Sequence, residues 1–214
     1  MLDRCTEGLS SFPVTIPGPS GDLEGIVDCA ADEPQGGAVI CHPHPLYGGT
    51  MQNKVVHTLA KSLTANNRTA VRFNFRGVGA SAGEYDEGAG ETDDALAVLN
   101  WLSSHQTGLP VILAGFSFGS FVALQAAAQA KPAALITVAP PVRMFDFKNL
   151  SLIGCPWLLI QGDEDEVVDT NSVVNWVRSL ENPPQLEIMH GASHFFHGKL
   201  LDLRSVCDDF LQNL

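Results

Sequence analysis

The sequence predicts an α/β fold: one domain over residues 1–214, with a mostly parallel central sheet flanked by helices. Three features carry this reading. From residue 38 onward, short apolar runs alternate with longer helix-forming segments, the pattern of parallel strands joined by helical crossovers. The final segment repeats Leu203, Val206, Cys207, Phe210 and Leu214 at helical spacing, one stripe to bury against a sheet. Between an apolar run and a helix-forming run stands Gly115-Phe116-Ser117-Phe118-Gly119, a G-x-S-x-G where a strand would turn sharply into a helix.

In chain order, the pieces Phe12–Ile16 and Leu23–Val27 flank a turn cluster, Pro17-Gly18-Pro19-Ser20-Gly21-Asp22, and predict an antiparallel hairpin at a sheet edge. Six apolar runs follow as strands: 38–41, 70–75, 111–114, 135–138, 157–160 and 185–188. Helices are expected near 52–66, 91–105, 118–130, 170–181 and 200–213, with Asp169 and Thr170 capping the fourth. Trp101 and Trp176, on two of these helices, fit either core or interface. No repeat or linker divides the chain. Reactive groups in such a sheet belong on the loops at the carboxyl ends of the strands.

With 45% hydrophobic residues the chain can fill one large core, which excludes disorder. A net charge of −12 and only 12 scattered Lys and Arg disfavour nucleic acid and anionic membranes as partners. The cysteines at 5, 29, 41, 155 and 207 are odd in number and form no C-x-x-C pair, so buried or free thiols in a reducing compartment are expected. No run approaches the roughly 18 apolar residues of a membrane span, and the first residues lack a signal-peptide core. The expectation is a soluble cytoplasmic protein.

A serine hydroxyl becomes a nucleophile when a positioned histidine takes its proton. The two glycines of the motif allow the tight turn that lifts Ser117 above the sheet edge. His194, in Gly191-Ala192-Ser193-His194-Phe195-Phe196 after the last predicted strand, stands where the base belongs, with His190 at the strand end and His197 towards the last helix. The acid should follow the preceding strand, where Gly162-Asp163-Glu164-Asp165-Glu166 offers four carboxylates. Spacing favours Asp165, Asp163 is its rival, and Glu164 and Glu166 read as solvated. An oxyanion hole needs two N–H donors. One is Phe118, next to the nucleophile. The other should come from His42-Pro43-His44-Pro45-Leu46-Tyr47-Gly48-Gly49-Thr50, where Pro43 and Pro45 have no N–H; His44 is the first choice, followed by Leu46 and Tyr47.

His42-x-His44 joined by His190, His194 or His197 would be the alternative, a metal site, but no H-E-x-x-H or cysteine pair accompanies it. Gly77-x-Gly79 is out of phase with a dinucleotide-binding G-x-G-x-x-G. No cofactor and no metal are therefore expected. Arg76 should order its own loop through carbonyl bonds rather than touch substrate.

Together these residues resemble an α/β-hydrolase over nearly the full length. The stretches Cys41-His42-Pro43-His44-Pro45-Leu46-Tyr47-Gly48-Gly49-Thr50-Met51-Gln52-Asn53-Lys54-Val55-Val56 and Arg72-Phe73-Asn74-Phe75-Arg76-Gly77-Val78-Gly79 are similar to a family of small, cap-less bacterial members with a C-H-P-H-P-x-x-G-G-T motif. The resemblance, to a family of poorly defined substrate, implies a Ser117-Asp165-His194 triad and oxyanion donors at Phe118 and near His44; the expectation drawn from these residues is a metal-independent serine hydrolase of carboxylesterase type. Asn74 stands where the wider superfamily often has aspartate. Larger relatives carry a cap between the strands ending near Val138 and beginning near Trp157, where this chain has only the eighteen residues 139–156. The expected site is open and shallow, walled by Phe116, Phe118, Met144, Phe145, Phe195 and Tyr47. Such walls suit a small-molecule acyl substrate, an ester or thioester. The alternatives are a peptidase of the same fold and a non-catalytic binding or scaffold protein.

Overall fold

The computed structural model describes residues 2–6, 8–147 and 153–214. Its sheet has eight strands, β1 (Ser11–Gly18), β2 (Gly21–Asp28), β3 (Gly36–Cys41), β4 (Arg68–Phe73), β5 (Val111–Phe116), β6 (Ala134–Val138), β7 (Trp157–Gly162) and β8 (Gln185–Met189), in the order β1-β2-β4-β3-β5-β6-β7-β8. β1 pairs antiparallel with β2, and β2 antiparallel with β4. All other pairings are parallel. The expected hairpin thus forms one edge. β4 stops two residues short of the predicted end, because Asn74 and Phe75 leave the ladder to begin the loop towards the site.

The helices are α1 (Asp3–Thr6), α2 (Lys54–Ala65), α3 (Ala89–His105), α4 (Phe118–Ala130), α5 (Thr170–Ser179) and α6 (Leu200–Gln212). α2 and α6 cover one face, burying Val56, Leu59, Leu63, Leu203 and Cys207 against Ile40, Ile112 and Ile160. α3, α4 and α5 cover the other, where Val98, Leu102, Leu124 and Val173 meet Val39, Leu113 and Leu159. Alternate residues of β5 enter opposite faces, as the period of two requires. Fully burying each such aliphatic side chain contributes about 1.5–3 kcal/mol. Leu214, expected on the α6 stripe, lies beyond the helix and is half exposed. Trp176 is edge-on to Phe147 and Trp157, and both it and Trp101 are partly buried against the core.

The cysteine expectation holds for three residues and is corrected for two. Cys41, Cys155 and Cys207 are free thiols, but Cys5 and Cys29 form a disulfide that ties α1 to the end of β2. Sequence separation concealed the pair; the fold brings their Cα atoms to 5.5 Å. Among the described residues no helix is long and apolar enough to cross a membrane.

Because β3, β5, β6, β7 and β8 run parallel, the loops leaving their carboxyl ends gather along one rim. Arg76, in the loop after β4, is anchored there by a carboxylate rather than by carbonyls. Its Nη2 donates to Asp94 Oδ1 at 2.8 Å and its backbone N–H to Oδ2 at 2.9 Å, so the buried Asp94 of α3 holds the loop down.

Candidate active site

Ser117 sits where β5 gives way to α4, with φ 54° and ψ −121°. A side chain in that region costs on the order of 1–3 kcal/mol. Its surroundings impose the conformation. The Ser117 N–H donates to the Val138 carbonyl at 2.8 Å, and the Ser120 hydroxyl lies 2.8 Å from the carbonyl oxygens of Gly115 and Val138. A Cβ at Gly115 would fall 2.1 Å from the Gly119 carbonyl oxygen, and one at Gly119 2.2 Å from that of Cys41. Only glycine permits the turn to close this tightly against β3.

His194, in the loop after β8, places Nε2 3.1 Å from Ser117 Oγ and Nδ1 2.9 Å from Asp165 Oδ2. Asp165 follows β7, and four donors surround its carboxylate. Val167 and Val168 give backbone N–H groups to Oδ1 at 2.8 and 2.7 Å, while Gln161 Nε2 joins His194 at Oδ2, at 3.0 Å. Burial pushes the carboxyl pKa up, but the bonds from His194 and Val168, with those remaining, outweigh it and hold Asp165 below the usual carboxylate range. An ionised Asp165 takes the Nδ1 proton of His194 as a hydrogen bond. The Nε2 lone pair then faces Ser117 Oγ and can accept its proton.

Asp163 is separated from this array. It takes the exposed His190 Nδ1 at 2.7 Å and the Gly191 N–H at 2.7 Å, and the bond from His190 leads in holding its pKa down. Glu166, expected to be solvated, accepts the His194 backbone N–H at 3.0 Å and so fixes the chain that carries the imidazole. Asp169 caps α5 as expected, accepting from Ser172 N at 2.9 Å. Gln161 had no sequence signal, since inside β7 it reads as one more strand residue.

In the loop after β3, Pro45–Tyr47 forms a single 3-10 turn. The Leu46 N–H donates to His44 Nδ1 at 3.2 Å and the Tyr47 N–H to the His44 carbonyl at 3.2 Å, so both rival donors are engaged within the loop. The N–H groups of His44 and Phe118 have no acceptor among the described residues. The His44 ring, its pKa lowered by burial, lies over Phe118 at 4.9 Å and reaches Tyr85 Oη through Nε2 at 3.2 Å. Asn74 links this loop to the hairpin, accepting the Met51 N–H at 2.9 Å and donating to Glu24 at 2.7 Å. His42 turns away from His44, and among the described residues no group of three or more metal-binding side chains assembles.

A cavity of about 390 Å³ opens over Ser117 and His194. His44, Tyr47, Phe118, Met144, Phe145 and Phe195 form its apolar walls, and among the described residues no Lys, Arg, Asp or Glu lines it. Phe116, expected as a wall, is instead fully buried beneath His194, ring to ring at 5.1 Å, because its side chain enters the opposite face of the sheet. Within 139–156 the described residues contribute Pro141, Met144 and Phe145 to the wall and no helix over it; residues 148–152 of the predicted lid-free segment lie outside the described residues.

Residues 39–205 match the family model described as an alpha/beta hydrolase domain. An uncharacterized protein of Rickettsia prowazekii is 37% identical over 205 residues, covering 91% of this chain and 86% of that protein. A Xanthomonas campestris crystal structure, described as an a/b serine hydrolase without lid, is 43% identical with a TM-score of 0.91, covering 95% of this chain and 94% of that one. An alpha-beta serine hydrolase homologue from Coxiella burnetii is 46% identical with a TM-score of 0.91, covering 94% and 97%.

Proposed function

Because the chain belongs to the alpha/beta hydrolase family, we propose that it is a serine hydrolase that cleaves a small, uncharged carboxylic ester or thioester through an acyl-enzyme. The observation that carries the reading is the unbroken relay Ser117 Oγ to His194 Nε2 at 3.1 Å and His194 Nδ1 to Asp165 Oδ2 at 2.9 Å.

In the first half-reaction Ser117 Oγ bonds to the acyl carbon while its proton passes to His194 Nε2. The carbonyl oxygen, now negative, is held by the N–H groups of Phe118 and His44. As the tetrahedral intermediate collapses, the bond to the leaving oxygen or sulfur breaks and His194 returns the proton to it. Water repeats the sequence on the acyl-serine, releasing the carboxylic acid and restoring Ser117. Asp165 stabilises the imidazolium at each passage without taking its proton. The described walls, which carry no Lys, Arg, Asp or Glu, give a neutral acyl group apolar surface and offer a polyanionic handle no counter-charge.

Short-chain p-nitrophenyl esters and a fluorophosphonate probe test this directly. Ester hydrolysis that disappears in Ser117→Ala, together with labelling confined to Ser117, is expected. A folded protein that neither labels nor turns over any ester, thioester or peptide substrate would return the chain to the scaffold alternative.

A further inference from the structure

His42 is wholly buried, just past the end of β3, with its ring 4.4 Å from that of Phe75. Both of its nitrogens are engaged. The Phe75 backbone N–H, which can only donate, lies 3.1 Å from Nε2, so Nε2 is the acceptor and the proton sits on Nδ1. Nδ1–H in turn donates to the Pro43 carbonyl at 2.6 Å. The buried ring is also hard to charge, and desolvation lowers its pKa to about 4.

The Pro43 carbonyl belongs to the same planar peptide as the His44 N–H. In a trans peptide the two point in opposite directions, and no peptide bond here is cis. Whatever fixes the carbonyl therefore fixes the aim of the N–H. Gly49 passes close to the same carbonyl, where a Cβ would fall 2.0 Å from the Pro43 oxygen, so a side chain at that position would displace it. Pro43 adds a ring-locked φ. The peptide is held by His42 at its oxygen end and, among the described residues, its N–H has no acceptor.

We propose that His42 is a positioning residue: by binding the Pro43 carbonyl it aims the His44 N–H at the oxygen that becomes negative when Ser117 attacks. The inference rests on the hydrolase reading of Ser117. It gives the first histidine of the H-P-H-P segment a role different from that of the second, which lines the cavity and carries the donor. Oxyanion stabilisation falls steeply with misdirection of the donor, and loss of one donor commonly costs about 10²–10³-fold in kcat.

His42→Phe keeps a ring against Phe75 and removes both hydrogen bonds; His42→Asn restores a donor close to the Nδ1 position. Hydrolysis of p-nitrophenyl acetate is measured per site counted at the endpoint of fluorophosphonate labelling, which discards misfolded protein. His42→Phe should lose about 10²-fold in kcat with KM within threefold of the parent, and His42→Asn should regain at least tenfold of that. Gly49→Ala, whose Cβ would displace the same carbonyl, should lose kcat in the same way and serves if His42→Phe does not fold. If kcat per labelled site stays within threefold of the parent in these variants, or if the loss lies in KM alone, the positioning role is wrong. A parent protein that labels at Ser117 and hydrolyses esters keeps the hydrolase reading in either event, so the two ideas fail separately.

Discussion

Asp163 and Asp165 stand two residues apart on one loop, yet they serve different histidines: Asp163 binds exposed His190 and Asp165 binds buried His194. Isosteric amides separate their contributions. Asp165→Asn offers His194 an amide in place of a carboxylate, favours the wrong tautomer, and should lower kcat by about 10³–10⁴-fold. Asp163→Asn should change kcat by less than threefold. Comparable losses in the two variants would overturn this division.

The backbone of Ser117, held at φ 54°, predicts a trade of stability against activity. Ser117→Gly should abolish hydrolysis and yet raise the free energy of unfolding by about 1 kcal/mol, since relief of the strained conformation exceeds the entropy a glycine adds to the unfolded chain. Urea titration of the two proteins at equal pH measures the difference.

His42 also links stability to pH. Its folded pKa of about 4 lies below the ordinary 6.5, so between those values the unfolded chain binds the proton and the native state does not. Stability from this group is therefore intact above pH 6.5 and declines as pH falls towards 4. From pH 7 to pH 5 the loss should be about 2 kcal/mol. His42→Asn should remove that part of the slope in urea unfolding; an unchanged slope would show that other groups produce it.

Asp94 is wholly buried and binds Arg76 through both side chain and backbone N–H. Asp94→Ala takes from the buried Arg76 its hydrogen-bonded carboxylate, leaves only the exposed Asp86 at 3.9 Å, and should cost about 3 kcal/mol of stability, read from the urea midpoint.

At the mouth of the cavity Tyr47 and Phe195 are exposed hydrophobic side chains. Truncation of either to alanine should raise KM for a hexanoyl ester about three- to tenfold and leave the acetyl ester within twofold, because only the longer chain reaches that surface. Equal effects on both esters would place the acyl group elsewhere.

Much of the fold was legible because apolar runs and helical segments alternate so regularly; all eight strands lie where those runs predict them. The G-x-S-x-G and the glycine closing β7 located Ser117 and the acidic loop, since strand ends leave punctuation in the sequence. Choosing between Asp163 and Asp165 rested on spacing, and the pairing with His194 follows that choice. What stayed hidden depends on pairs distant in the chain. Cys5 meets Cys29, Asp94 rather than a carbonyl meets Arg76, and Gln161 braces Asp165 from within a strand whose pattern shows only burial. The side of the sheet entered by Phe116 is set by one residue of register, which is why a predicted wall residue lies beneath His194 instead.

The open cavity over Ser117 bears on the second half-reaction as much as on the first. In a hydrolase working as proposed, the acyl-serine faces solvent through the same mouth that admitted the ester, and among the described residues no gate stands between water and it. The same holds for any other small nucleophile. Methanol or glycerol added to the assay should therefore divert acyl groups from the free acid to a new ester in proportion to its concentration, which makes acyl transfer a by-product of the way the described residues leave this site uncovered.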